Sequence, residues 1–271
     1  MIALPPELER EIFETCAFSR PVSIPKLMLV AQYVKEWVEP LLYRTILTLG
    51  YNHSIEDLPR FTEATFSSML RRKSPVFFQN AVRHFMLMGL FNYSKVEAIL
   101  TLCTGVEDLC ILDIPESWMP FITSFPLRRL YTSFRAIPLT HPIFSRLTHL
   151  HLQMDDNTGD TESTCTILAT LPKLTHLSFS GGAFVALSHK ILALSRSICV
   201  LVLIQQCPSR WIDAEVTKVV RDVRFVVMPH RNFIEDWYTG VRGGKCYWSD
   251  AETFVAKRQT REIDPQHFFW P

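Results

Sequence analysis

Three histidines, His149, His151 and His176, stand in two nearly identical phrases, RLTHLHLQM (146–154) and KLTHLSFSG (173–181). Same-face positions on neighbouring strands lie close enough for three imidazoles to share a zinc ion. That chemistry calls for a fourth ligand, and only Asp155 and Asp156 are near in sequence. Histidine is also an ordinary filler on a partly polar strand face, so the expectation is no metal and no cofactor. Two shorter patterns are weaker. Ser23-x-x-Lys26 matches the opening of a serine acyl-transfer motif, but its companions are absent and it sits in a proline-bounded turn. Gly240-Val-Arg-Gly-Gly-Lys245 has the wrong glycine spacing for a phosphate loop, lacks the Ser or Thr after the lysine and follows no strand, so a helix connection fits better. Asn52-His-Ser54 and Asn92-Tyr-Ser94 fit the glycosylation pattern, which has no use in a reducing compartment. No nucleophile, base and oxyanion donors combine, and a non-enzyme is expected.

The elements that carry the histidines are repeated. Seven phrases, VRHFML, VEDLCI, LRRLYT, LTHLHL, LTHLSF, ICVLVL and VRFVVM, align on Phe85, Leu109, Leu130, Leu150, Leu177, Leu201 and Val226. Successive anchors are 24, 21, 20, 27, 24 and 25 residues apart, inside the range of about 20–29 residues of leucine-rich repeats. Thr132 at an apolar position, and Phe225 and Val227 at filler positions, fit less well. Alternation within each phrase predicts a short strand. The segments 94–105, 159–172 and 183–196 have helical spacing and end on Gly105, Pro172 and Arg196. The expected fold class is therefore α/β: a short N-terminal helical unit (1–49), an irregular leucine-rich-repeat solenoid with a parallel sheet and outer helices (50–232), and a C-terminal helical cap (233–271).

Alternation puts the residues flanking each anchor on the face open to a partner. In the middle repeats these are polar: Arg129, Tyr131, His149, His151, Gln153, His176 and Ser178. They are the expected partner-contacting residues. In the last two repeats the same columns read Val200, Val202, Ile204, Phe225 and Val227, an apolar strip that needs a cover. The aromatic tail, with Trp237, Tyr238, Trp248 and Phe254, is expected to fold over that strip and leave the polar patch open.

Composition excludes several classes. Lys+Arg and Asp+Glu total 28 and 27, which leaves no net field to attract nucleic acid or an anionic membrane. Seven cysteines without a Cys-x-x-Cys pair read as reduced thiols, most of them packed among apolar residues. MIALPPELEREIF carries acids where a secretory leader needs a basic end, and no apolar run approaches the roughly 20 residues that span a bilayer. A cytoplasmic or nuclear protein with no membrane association is expected.

The first fifty residues form a different unit. Leu4-Pro5-x-Glu7-Leu8-x-x-x-Ile12-Phe13 predicts a helix entered through prolines. Leu27-x-Leu29-Val30-Ala31-x-x-Val34-x-x-Trp37 predicts a second helical region, kinked or ended by Pro40. Together they resemble an F-box, and the tail WVEPLLYRTI is similar to the version found in large families of mushroom-forming fungi, where leucine-rich-repeat-like segments follow. The turn FSRPVSIP is longer than in well-studied F-boxes, and Ala31 stands where cysteine is usual. The resemblance implies docking of Leu4, Pro5, Leu8, Ile12, Phe13, Val30, Val34 and Trp37 onto the Skp-family linker of a cullin ubiquitin ligase. It further implies that the solenoid face holds a protein substrate. The alternative is a leucine-rich-repeat interaction scaffold with no ligase coupling.

Overall fold

The alternating phrases become strands, and in each of two compact units they lie in chain order. The computed structural model describes residues 4–49, 62–89, 93–153, 161–180, 185–205 and 221–270. The sequence expectations at Asn52, Ser54, Asn92, Asp155 and Asp156 lie outside the described residues.

The first unit comprises Met1–Cys110 and Glu116–Pro126. It opens with α1 (Pro6–Ser19), a 3-10 turn at Pro21–Ser23, α2 (Ile24–Leu27) and α3 (Gln32–Leu42). Pro6 occupies the first helical position, where its missing N–H is not needed. Ala17, Ile24, Val34 and Val38 form a sealed core, with Phe13, Leu27, Met28 and Trp37 packed around it. β1 (Thr45–Leu49) follows, then α4 (Glu63–Arg72), α5 (Pro75–Ala81), β2 (His84–Met88), α6 (Tyr93–Leu102) and β3 (Asp108–Ile111), with a 3-10 turn at Glu116–Trp118 and α7 (Met119–Ser124). The side chains of Thr62 and Ser74 accept the N–H groups of Thr65 and Phe77, closing the open starts of α4 and α5. β1 pairs in parallel with β2, Ile46 opposite Phe85. A strand that precedes all seven phrases therefore lies inside residues 1–49. Gly105 does more than stop a helix: a Cβ there would collide with the Arg83 guanidinium and the Gln79 carbonyl. That guanidinium donates to the carbonyls of Gln79, Val82 and Gly105, which ties the end of α5 to the turn before β3.

The second unit comprises Ile111–Pro115 and Leu127–Pro271. Its parallel strands are β4 (Arg129–Ser133), β5 (His149–Gln153), β6 (His176–Ser180), β7 (Val200–Gln205) and β8 (Phe225–Pro229). α8 (Thr161–Thr170) and α9 (Val185–Leu194) are crossover helices, whereas β4 and β5 are linked by a 3-10 turn at Pro142–Arg146. Leu130, Leu150, Leu177 and Leu201 stand in line across the strands, each fully buried. Their apolar transfer is the main source of stability for the layer, on the order of 1.5–3 kcal/mol per side chain.

The two misfits in the repeat alignment have separate explanations. Phe225, not Val226, stands opposite Leu201, and Val227 stands opposite Leu203. The seventh anchor is thus one residue earlier than the sequence alignment places it, and Phe225 and Val227 belong to the inward row. Val226 and Met228 take the filler columns instead. Thr132 is buried in the inward row of β4, where its hydroxyl donates to the Leu112 carbonyl at 3.3 Å. Thr48 occupies the same inward position of β1 and donates to the Met86 carbonyl at 3.1 Å. Leu112 O also accepts from Ser133 N–H, so Thr132→Val leaves no acceptor orphaned. Its unfolding free energy in urea is expected to stay within about 1 kcal/mol of the parent; a loss above about 2 kcal/mol would contradict the assignment.

After β8 come α10 (Phe233–Val241) and α11 (Tyr247–Gln259). The glycines between them form a helix-ending turn. Gly243, at φ +76°, donates to Gly240 O, and Gly244 donates to Thr239 O. This is the connection expected in place of a phosphate loop. Ser23, the acyl-transfer candidate, donates to Arg20 O as part of a turn. Cys103, Cys110 and Cys165 are buried as expected, but Cys199 is exposed. Among the described residues no helix is long and apolar enough to cross a membrane.

Candidate functional site

The polar filler columns converge as the alternation requires, but they do not face solvent. Arg129, His149 and His176 occupy one row across β4, β5 and β6, and Tyr131, His151 and Ser178 the next. Tyr131, His151, His176 and Ser178 are buried, Arg129 and His149 are half-buried, and Gln153 alone of the seven is exposed. The cover is the tail. Trp248 Nε1–H donates to Tyr131 Oη at 2.7 Å, and Tyr247 Oη lies 3.3 Å from His151 Nδ1. Phe233 packs against both Tyr131 and His151. The expectation of an open polar patch is therefore corrected: α10 and α11 lie over these residues. Aromatic edges shield imidazoles well while leaving their nitrogens available for hydrogen bonds.

The same helices also cover the apolar strip, as the sequence predicts. α11 packs on β7 and β8, and Val200, Val202 and Ile204 are buried, along with Trp237, Tyr238, Trp248 and Phe254. The chain end then continues the sheet. Val227 N–H donates to Phe268 O at 2.8 Å, and Trp270 N–H donates to Val227 O at 2.9 Å. This pairs an edge strand whose open N–H and C=O groups would otherwise invite another chain.

Three charged groups hold the tail in place. Arg258 is 1% exposed, and its guanidinium donates to Phe225 O at 2.5 Å, Val223 O at 3.1 Å and Pro265 O at 2.6 Å. It also lies over the Phe268 ring at 4.4 Å. Burial lowers its pKa to about 10, against the pull of Asp222 and Asp264, so the group stays charged at neutral pH. Asp236 accepts Tyr247 N–H and joins α10 to the start of α11; burial raises its carboxyl, opposed by that hydrogen bond and by Arg231. Arg231 pairs with Asp250 at 2.7 Å and stacks over Trp270.

Within the patch the histidines separate into two kinds. His151 uses both ring nitrogens, Nδ1 toward Tyr247 Oη and Nε2 toward Ser180 Oγ. Burial lowers its pKa to about 3, so it is a neutral core group. His149 and His176 stack face to face, with ring centres 4.1 Å apart and planes 2° from parallel. Trp248 meets both rings edge-on. Burial, then His176 and Arg129, lower His149 to about 2; burial also lowers His176, against the attraction of Glu252. Glu252 Oε1 is 2.8 Å from His176 Nε2. The sequence offered no sign of Glu252, which sits one helical turn beyond Trp248 on a helix that comes from far along the chain.

The residues expected to meet a linker lie in the first unit and divide differently. Leu4, Leu8, Ile12 and Val30 are 52%, 47%, 50% and 60% exposed, and Pro5 is exposed as well. Phe13 and Trp37 are half-buried against the helical core. Val34 is 0% exposed inside that core. It is corrected from a contact residue to one that shapes the unit from within.

No protein-family model matches the chain, and no curated protein matches it.

Proposed function

We propose that the chain is a non-catalytic substrate-recognition adaptor of a cullin-type ubiquitin ligase. Its N-terminal helical unit is F-box-like and docks on the Skp-family linker. Its strand–helix repeats, read as an irregular leucine-rich-repeat solenoid, present a protein substrate. The observation that carries this reading is the outer face of α1. Leu8 and Ile12 lie one turn apart on it, exposed, with Leu4 exposed just ahead of the helix and Leu29 and Val30 exposed in the turn before α3. The core of the unit is built from other residues, so these side chains contribute nothing internally and are an unpartnered apolar face. An amphipathic helix with exposed apolar anchors at i and i+4, extended by Leu4 at its entry, suits docking into an apolar groove of a helical partner. Among the seven polar fillers, Gln153 is the one exposed to a substrate.

Co-purification with the Skp-family linker tests the proposal. Wild-type chain is expected to retain the linker, while Leu4→Ala/Pro5→Ala and Leu8→Asp/Ile12→Asp each weaken binding at least about tenfold. Because the substituted positions are exposed, thermal midpoints should change little. A wild-type chain that fails to hold the linker would overturn the adaptor reading and leave an interaction scaffold without ligase coupling.

A further inference from the structure

We propose that His149, His176 and Glu252 form a divalent-cation site, suited to Zn²⁺, that fastens α11 to strands β5 and β6. The three residues each bring a ligand atom within 4.8 Å of the other two. Two imidazoles and one carboxylate are a donor set that Zn²⁺ accepts, with water in the fourth position. Glu252 is half open to solvent, its side chain 52% exposed, so a water has access on that side.

The hydrogen bonds around the rings fix which nitrogens face the site. Thr148 Oγ1 donates its one proton to Arg128 O and lies 2.9 Å from His149 Nδ1. Thr175 Oγ1 donates to Thr148 O and lies 2.8 Å from His176 Nδ1. A hydroxyl that has given its proton to a carbonyl can only accept from the imidazole. The tautomer that suits a metal here carries its hydrogen on Nδ1, toward the threonine, and each Nε2 then presents a lone pair. Because both rings are pinned by the preceding threonine and stack nearly parallel, the two Nε2 atoms project in the same direction. His176 Nε2 faces the Glu252 carboxylate at 2.8 Å. The two lone pairs run side by side next to the Glu252 carboxylate in a largely buried place, where they repel one another and the anion; a tilt of the stacked rings toward each other lets one cation take all three donors. Protonating both rings would place two like charges 4.1 Å apart, whereas one divalent ion satisfies all three donors. The threonines then act as the outer partners that orient metal-bound imidazoles through the opposite nitrogen. Arg129, in register with His149 on β4, is the nearby charge that opposes a cation. His151 is excluded, since both its nitrogens are engaged.

Tag-free full-length chain, stripped with chelator and titrated with Zn²⁺ alone, is expected to bind one ion per chain and to melt at a higher temperature when loaded. Glu252→Gln, at an exposed helical position, should lower the affinity at least about tenfold, and His176→Gln should do the same. Thr175→Val should cost about 10–100-fold by freeing the ring. Arg129→Gln should tighten binding by removing a repelling charge. His189→Gln, on the exposed side of α9, should leave affinity unchanged. Co²⁺ in place of Zn²⁺ should give the visible absorption of a tetrahedral site, lost in Glu252→Gln. Failure of the wild-type chain to retain a stoichiometric ion, or equal binding by Glu252→Gln and wild type, would overturn the proposal.

Discussion

A chain ending at residue 232 is expected to be recovered as aggregates rather than as a monomer. Without α10 and α11, Tyr131, His151 and the apolar strip of Val202 and Ile204 lose their cover together. The outer strand β8 also loses its pairing with Phe268 and Trp270, leaving apolar surface beside an unpaired strand edge. Size-exclusion chromatography with light scattering checks this, and a soluble monomer at micromolar concentration would show that the tail is dispensable. A milder version removes one anchor. Trp248→Ala deletes a ring that touches both His149 and His176 and donates to Tyr131, and is expected to cost about 3–5 kcal/mol.

Arg258→Met should be nearly as damaging, although it keeps most of the side chain's bulk. The guanidinium satisfies carbonyls of Val223, Phe225 and Pro265, two from the approach to β8 and the strand itself and one from the last loop. A thioether cannot donate to them, and each buried carbonyl left unpaired costs about 1–3 kcal/mol. The expected loss is therefore at least about 3 kcal/mol in urea unfolding. Arg258→Lys should fall between, since an ammonium keeps the charge but cannot span carbonyls so far apart. A value for Arg258→Met within about 1 kcal/mol of wild type would mean that the tail is held by its aromatic contacts alone.

The strands of the fold were legible because their information is local. Leu130, Leu150 and Leu177 recur with polar fillers on either side, and alternation alone assigns each to a face. β1 escaped because Thr45 and Thr48 dilute the apolar phrase, and the burial of Thr48 depends on a carbonyl supplied by β2. The slip at β8 escaped because VRFVVM is apolar at five of its six positions, so the pattern fits two registers and only pairing with Leu201 decides between them. On α1, the F-box resemblance groups Phe13 with Leu8 and Ile12, yet Phe13 turns toward the core.

The site was half legible for a related reason. The filler columns were correct as columns, which brought His149, His151 and His176 together on paper. What lies over them comes from a segment about a hundred residues later. The bond from Trp248 to Tyr131 spans 117 residues, and nothing in the spacing of either segment announces it. Aromatic density in the tail signalled a cover, but not that the cover would extend over the polar rows. Nor could spacing exchange His151 for Glu252 beside the other two histidines.

The threonine–histidine pairs on β5 and β6 bear on how such a site could arise. Each pair carries both a nitrogen donor and the hydroxyl that aims it, written as adjacent residues in one repeat. Copying a single repeat in a gene duplication would therefore copy a ligand already oriented, at the right distance, with no further substitution needed on the sheet. Only one acidic residue, at position 252 of a separate helix, would remain to be selected.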